Sequence, residues 1–143
     1  MNSDNEKAVD FILVRTTTPR ELVCLLLDRF AGVRDLVCPD EGCFEDPFRV
    51  YDSFAKVVIQ RSKDLEFIQS VALFIDELAM SKESLIRDVL FASLLEGIAE
   101  NEQVARLISR TVGPHSRCLL QEVESKIYKR APSAEQGKRG TLH

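Results

Sequence analysis

The sequence predicts an all-α protein: a compact bundle of about five to six helices built on antiparallel helical hairpins. Three observations carry that prediction. Apolar residues recur at helical spacing along most of the chain, no segment shows the strict alternation of a strand, and the helical segments are separated by cap and breaker residues such as Thr18-Pro19, Pro47, Ser81, Asn101 and Gly113-Pro114. The stretch from Asp64 to Glu100 organises the rest. It holds two helical patterns joined by Met80-Ser81-Lys82, and the second, near 83–99, is apolar almost all round, as expected of a central helix. HEAT-like packing is one way to arrange such hairpins, although no repeat of about 40 residues is present.

Residues 1–17 read as an arm or a short helix, because Phe11-Ile12-Leu13-Val14 run together without clear periodicity. Thr18-Pro19-Arg20-Glu21 then supplies a capping threonine, proline at the first helical position and a glutamate placed to close a capping box. A helix from Pro19 to about Ala31 follows, with Leu22, Leu25, Leu26 and Phe30 inward and Gly32 ending it. Residues 33–47 hold Pro39, Gly42 and Pro47 and read as an irregular loop. Asp35, Asp40, Glu41, Glu45 and Asp46 stand there against Arg34 alone, the chief acidic concentration of the chain.

Pro47 opens a helix to about Arg61, with Phe48, Tyr51, Phe54 or Ala55, Val58 and Ile59 as its apolar stripe. Ser62 is the expected cap of the next helix, and Asp64 suits the positive end of its dipole. Leu65, Ile68, Val71, Ala72, Ile75, Leu78 and Ala79 form a core-facing arc. Asp76 and Glu77 lie opposite with Leu73 among them, an exposed leucine that can serve as a partner contact. Ser81 is placed to cap the central helix. Ser93 and Gly97, small and four apart, mark a flank where a neighbouring helix can come close, which would offset the helix propensity that Gly97 loses. Val104, Leu107 and Ile108 face inward from the next helix, and 115 to about 130 form a last one through Leu119, Val123 and Ile127. The organisation is therefore one helical domain over 18–130, preceded by the arm and followed by a disordered basic tail over 131–143.

Composition narrows the function. Hydrophobic residues make up 45% and charged residues 29% of the 143, values of a soluble globular protein, and the absence of tryptophan leaves an aliphatic and phenylalanine core. The longest apolar run, Leu22 to Leu27, is six residues, so no membrane association is expected, and with no export signal the expected location is the cytoplasm. Reduced thiols follow from that location. Cys24 and Cys118 lie among apolar residues, while Cys38 and Cys43 stand five apart in the acidic loop with no metal-finger spacing around them. No glycine-rich phosphate loop, paired-histidine zinc motif or nucleophile elbow occurs, so no cofactor and no enzymatic activity are expected. Nucleic acid is not an expected partner. Lys126, Lys129, Arg130, Lys138 and Arg139 run toward the tail instead of covering a folded face, and the formal net charge is −4.

Four segments carry a further signal: Phe54-Ala55-Lys56, Phe74-Ile75-Asp76-Glu77-Leu78, Leu94-Leu95-Glu96-Gly97-Ile98 and Val112-Gly113-Pro114-His115-Ser116. These helix and cap signatures resemble a little-characterised bacterial family of small all-helical proteins over about half of the chain. The family looks like those encoded beside polymorphic or contact-dependent toxins, where small acidic helical proteins act as immunity proteins. The resemblance implies a non-enzymatic inhibitor of a bacterial effector and brings no site residues of its own. Many toxin domains carry basic clefts, which an acidic patch with a small apolar centre can occupy. The expected patch is Asp40, Glu41, Glu45 and Asp46 with Phe44 as anchor, and the Leu73, Asp76, Glu77 face is the second candidate. The rival expectation is a helical scaffold or regulatory adaptor that joins its own copies or a larger machine.

Overall fold

Cap chemistry decides where each helix starts. The Thr18 hydroxyl accepts from the Glu21 amide at 3.1 Å and the Glu21 carboxylate accepts from the Thr18 amide at 2.9 Å. This reciprocal box opens α1, Pro19–Arg29. The computed structural model describes residues 16–127. The expectations for the arm over 1–15, for the basic tail and for the last turn of the final helix beyond 127 fall outside them. After α1 the chain makes a 3-10 turn, Ala31–Val33, and a short helix α2, Arg34–Val37.

The stretch read as an irregular loop is thus largely helical in short pieces. Asp40 begins a further 3-10 segment, Glu41–Glu45, by accepting from the Cys43 amide at 3.1 Å. Local aspartate caps and tertiary burial of Val33, Val37 and Cys43 sustain turns too short to show a period in sequence. Asp46 then caps α3, Pro47–Gln60, through the Arg49 amide.

The next cap is Asp64, which accepts from the Phe67 amide at 3.1 Å and starts α4, Leu65–Ala79. Ser62 does not cap it, because a turn intervenes, with the Asp64 amide donating to the Arg61 carbonyl at 3.0 Å. The Ser81 hydroxyl instead accepts from Glu83 two residues on, in the connecting turn, and the helix begins only after Glu83. That helix, α5, runs without a break over 84–99: Ser84–Val89, a π-helical turn Leu90–Leu95, and Glu96–Ala99. Asn101 caps α6, Glu102–Thr111, at the Val104 amide, and a last helix, α7, spans 114–127. Among the described residues there is no strand, and the all-α bundle expected from periodicity is what the chain forms.

The centre of the bundle is the contact of α3 with α5, which pack along each other through the π-helical turn and the helical turn after it. A Cβ built on Gly97 would fall 2.6 Å from the Ala55 Cβ, so the two backbones meet more closely than any side chain at that position allows. The flank marked by Ser93 and Gly97 is therefore where α3 passes. In the π-helical turn the Glu96 amide bonds back five residues to Phe91. The extra residue per turn carries Leu90, Leu94 and Leu95 into the core together.

Phenylalanines fill the other half. Phe30 contacts Phe54 at 4.8 Å and Phe74 at 5.5 Å between ring centroids, and Tyr51 stacks on Phe74 at 6.2 Å. The Tyr51 hydroxyl donates to the Leu22 carbonyl at 2.8 Å, tying α3 to α1, and burial without a countercharge pushes its pKa up. Four side chains depart from the expected stripes. Leu25, expected inward, is exposed on α1, and Phe48 and Leu65 are exposed in the first turns of α3 and α4, while Phe74 is fully buried because the end of α1 lies against that side of α4.

Candidate functional site

The acidic stretch folds into a knuckle held from three sides. Its first restraint is covalent: Cys38, at the end of α2, and Cys43, in the 3-10 segment, form a disulfide with their Cα atoms 5.4 Å apart. The expectation of reduced thiols fails for this pair. It came from compartment alone, whereas the turn at Pro39–Gly42 folds the two Cα atoms into disulfide range. Cys24 and Cys118 are free.

The second restraint is electrostatic. Asp40 accepts from the Arg49 guanidinium at 2.9 Å, and Glu45 pairs with Arg20 at 3.1 Å. The hydrogen bond from Arg49 is the main reason the Asp40 carboxyl is held below its ordinary value, with the Cys43 amide contributing in the same direction. Both pairs are exposed, and solvent screening leaves them weak. Their larger effect is to offset the local charge, since the knuckle's five carboxylates meet three guanidiniums once Arg20 and Arg49 join Arg34.

The third restraint is Phe44. Its ring is half-buried against the core, with Arg20 4.8 Å and Arg34 5.5 Å from its centroid. Phe44, expected as an anchor for a partner, is thus already sandwiched within the fold. Asp40 and Asp46 are engaged as caps and Glu45 as an ion pair. Glu41 is exposed with no ion pair among the described residues, as is Asp35 on α2. A cleft of about 280 Å³ runs beside them, lined by Arg34, Asp35, Cys38, Asp40, Glu41 and Phe44.

The second candidate face divides differently. Asp76 accepts from the Gly113 amide at 3.1 and 3.2 Å and from the Ser116 hydroxyl, so this carboxylate of α4 acts as a cap for α7, 37 and 40 residues downstream. Glu77 pairs with Arg29 of α1, whose guanidinium also lies over the Phe74 ring at 5.3 Å. What this face leaves uncovered is apolar. Leu73 is 62% and Met80 77% exposed, seven residues apart and so on one side of α4. Leu25, one turn before Arg29 on α1, is also exposed and stands across the Arg29–Glu77 pair. The knuckle and this face are separate surfaces: the structure does not bring the eight expected residues together.

Sequence reading missed the groove between α5 and α7, about 460 Å³, with Phe91, Leu119 and Val123 flanked by Arg87, Glu122 and Lys126. It also missed Arg20 and Arg49 as partners of the acidic residues. Arg49 was the accessible one, three residues after Asp46, but nothing local assigns it to Asp40. Compared with family models, with curated proteins and with solved structures, the chain matches none. Among the described residues, no helix is long and apolar enough to cross a membrane.

Proposed function

We propose that this chain is a non-enzymatic protein-binding module, most concretely an immunity- or antitoxin-like inhibitor that meets the basic face of a cytoplasmic bacterial effector through the knuckle over 35–46. One observation carries the reading. Asp35 and Glu41 are exposed beside a cleft on a turn already closed by a disulfide, two aspartate caps and two ion pairs. A preorganised acidic surface loses little conformational freedom on binding, and its charge accelerates encounter with a basic partner. The carboxylates engaged in capping keep the shape, and the two outward ones present charge.

The test is capture of the partner from the native host, followed by expression of that partner alone and together with this chain. Growth arrest by the partner alone, relieved by co-expression, supports the inhibitor reading; a partner harmless by itself removes it. Asp35→Lys with Glu41→Lys spares every cap and should slow association at least about ten-fold at low salt, with the difference shrinking as salt is added. Unchanged association would move the interface off the knuckle.

A second reading, a scaffold or adaptor that associates with itself, is favoured by the exposed Leu25, Leu73 and Met80 around the Arg29–Glu77 pair. Sedimentation of the full chain against Leu73→Asp distinguishes it, since a self-associating face loses mass on that substitution and an inhibitor that acts as a monomer does not.

A further inference from the structure

Two sulfurs, one carbonyl and one cleft converge in the knuckle. Cys43 is fully buried, while Cys38 retains slight exposure and lines the cleft. The Asp40 carbonyl oxygen lies 2.9 Å from the Cys43 sulfur and 3.8 Å from that of Cys38. With the sulfurs joined, neither carries a hydrogen to donate. Once they are reduced, both thiols have the same acceptor already in place, so the reduced pair is accommodated without leaving a buried donor unmatched.

We propose that Cys38–Cys43 is a reversible thiol switch on the acidic surface, opened by a dithiol reductant that attacks Cys38 from the cleft. This inference rests on the knuckle being the interface for its regulatory meaning, but not for its chemistry. A thiolate of the dithiol attacks the Cys38 sulfur, the bond to Cys43 breaks, and Cys43 leaves as a thiolate and takes up a proton. The dithiol's second thiolate then attacks the dithiol sulfur of the mixed disulfide and releases Cys38, which is protonated in turn. Two electrons and two protons pass to the protein, and the reductant ends as its own disulfide. The order follows from access, because Cys43 presents no surface to an attacking group.

The consequence is local. The bond closes a ring from Cys38 to Cys43, a sequence separation of 5, and opening a ring of that size restores enough chain entropy to raise local opening about thirty-fold. The Asp40 cap, the Arg49 pair and the core beneath Val37 remain, so the domain stays folded while the knuckle loses its preorganisation.

The experiment uses the full chain in a series of reduced to oxidised dithiothreitol ratios, with alkylation mapped by mass and amide exchange read at each ratio. Cys38 and Cys43 should become alkylatable together in one two-electron step, with Cys118 reactive throughout. Exchange at the Cys43 and Asp46 amides should rise about thirty-fold while that of α5 stays unchanged. In Cys43→Ser, glutathione disulfide should form a mixed disulfide at Cys38, whereas in Cys38→Ser the buried Cys43 should react at least ten times more slowly. Alkylation of the pair without reductant, or a reduced protein whose knuckle exchanges no faster, overturns the switch, and both readings use the wild-type chain. Faster capture at Cys43 overturns the attack at Cys38. None of these results requires a partner, so they stand or fall apart from the charge-reversal test. Once a partner is in hand, the reduced protein should bind it more weakly, and equal affinity would end the regulatory claim.

Discussion

Replacing Gly97 by alanine tests the central contact of the bundle. The added Cβ would sit 2.6 Å from the Ala55 Cβ, where carbon atoms in contact prefer about 3.5–4.0 Å. Roughly 1 Å of separation is therefore demanded of two helices. Neither methyl can rotate away, because both are fixed to backbone, and α3 and α5 are held together along their length. Overpacking of this kind costs about 1–3 kcal/mol, and the absence of a flexible group puts it at the upper end. Alanine returns about 1 kcal/mol of helix propensity, which leaves Gly97→Ala less stable by about 2 kcal/mol. Adding Ala55→Gly removes the obstructing methyl; the next atom, Asp52 Oδ1, lies 3.6 Å from the new Cβ. The double variant should then show a favourable coupling of about 3 kcal/mol relative to the sum of the single changes, because helix propensities cancel in the cycle and the overpacking does not. Gly32→Ala is the control: no atom lies within 4 Å of its Cβ position, so it should be neutral or stabilising by up to about 1 kcal/mol. Urea unfolding followed by far-ultraviolet circular dichroism reads the parent, Gly97→Ala, Ala55→Gly, the double variant and Gly32→Ala. A Gly97→Ala variant as stable as the parent, or a double variant with no coupling, would refute the close-approach argument.

Two further outcomes bear on groups that bridge elements. Asp76→Ala strips α7 of its cap from α4 and leaves the Gly113 amide without its carboxylate partner; it should cost about 1–3 kcal/mol in the same assay, and a cost near zero would return Asp76 to the candidates for partner contact alone. The Glu124 carboxyl is pushed above its ordinary 4.5, first by desolvation and then by the Glu102 charge, with Arg106 opposing. A carboxyl raised on folding stabilises the fold while protonated, below its unfolded value, and that stabilisation is lost as pH rises through the folded value. Glu124→Gln should therefore unfold at a slightly higher temperature than the parent at pH 7, with the gain vanishing toward pH 4; a gain independent of pH would show that charge is not its cause.

Helix existence was legible wherever caps and periodicity agreed. Thr18-Pro19-Arg20-Glu21 specifies α1 by atoms within four residues of one another, and the stripe of α4 needs only its own spacing. Sequence alone places the start of α4 two residues early because Ser62 and Asp64 are both competent caps, and only the intervening turn selects Asp64. The knuckle was legible as charge but not as shape. Its turns are shorter than a helical period, and their support from Arg20, Arg49 and the core comes from elsewhere in the chain.

The same division runs through the candidate residues. Leu73 stands exposed as its place opposite the apolar arc requires, whereas Asp76 and Glu77 beside it are engaged by groups tens of residues away, with sequence separations of 37 and 48. Sequence by itself determined the helical class, the Thr18 capping box, the phenylalanine core and the small flank at Gly97, because each depends on residues a few positions apart. Tertiary structure alone decided which carboxylates remain outward, the pairing of Cys38 with Cys43 and the helix that passes Gly97. Those depend on contacts between elements, and no local period encodes a partner that lies across the fold.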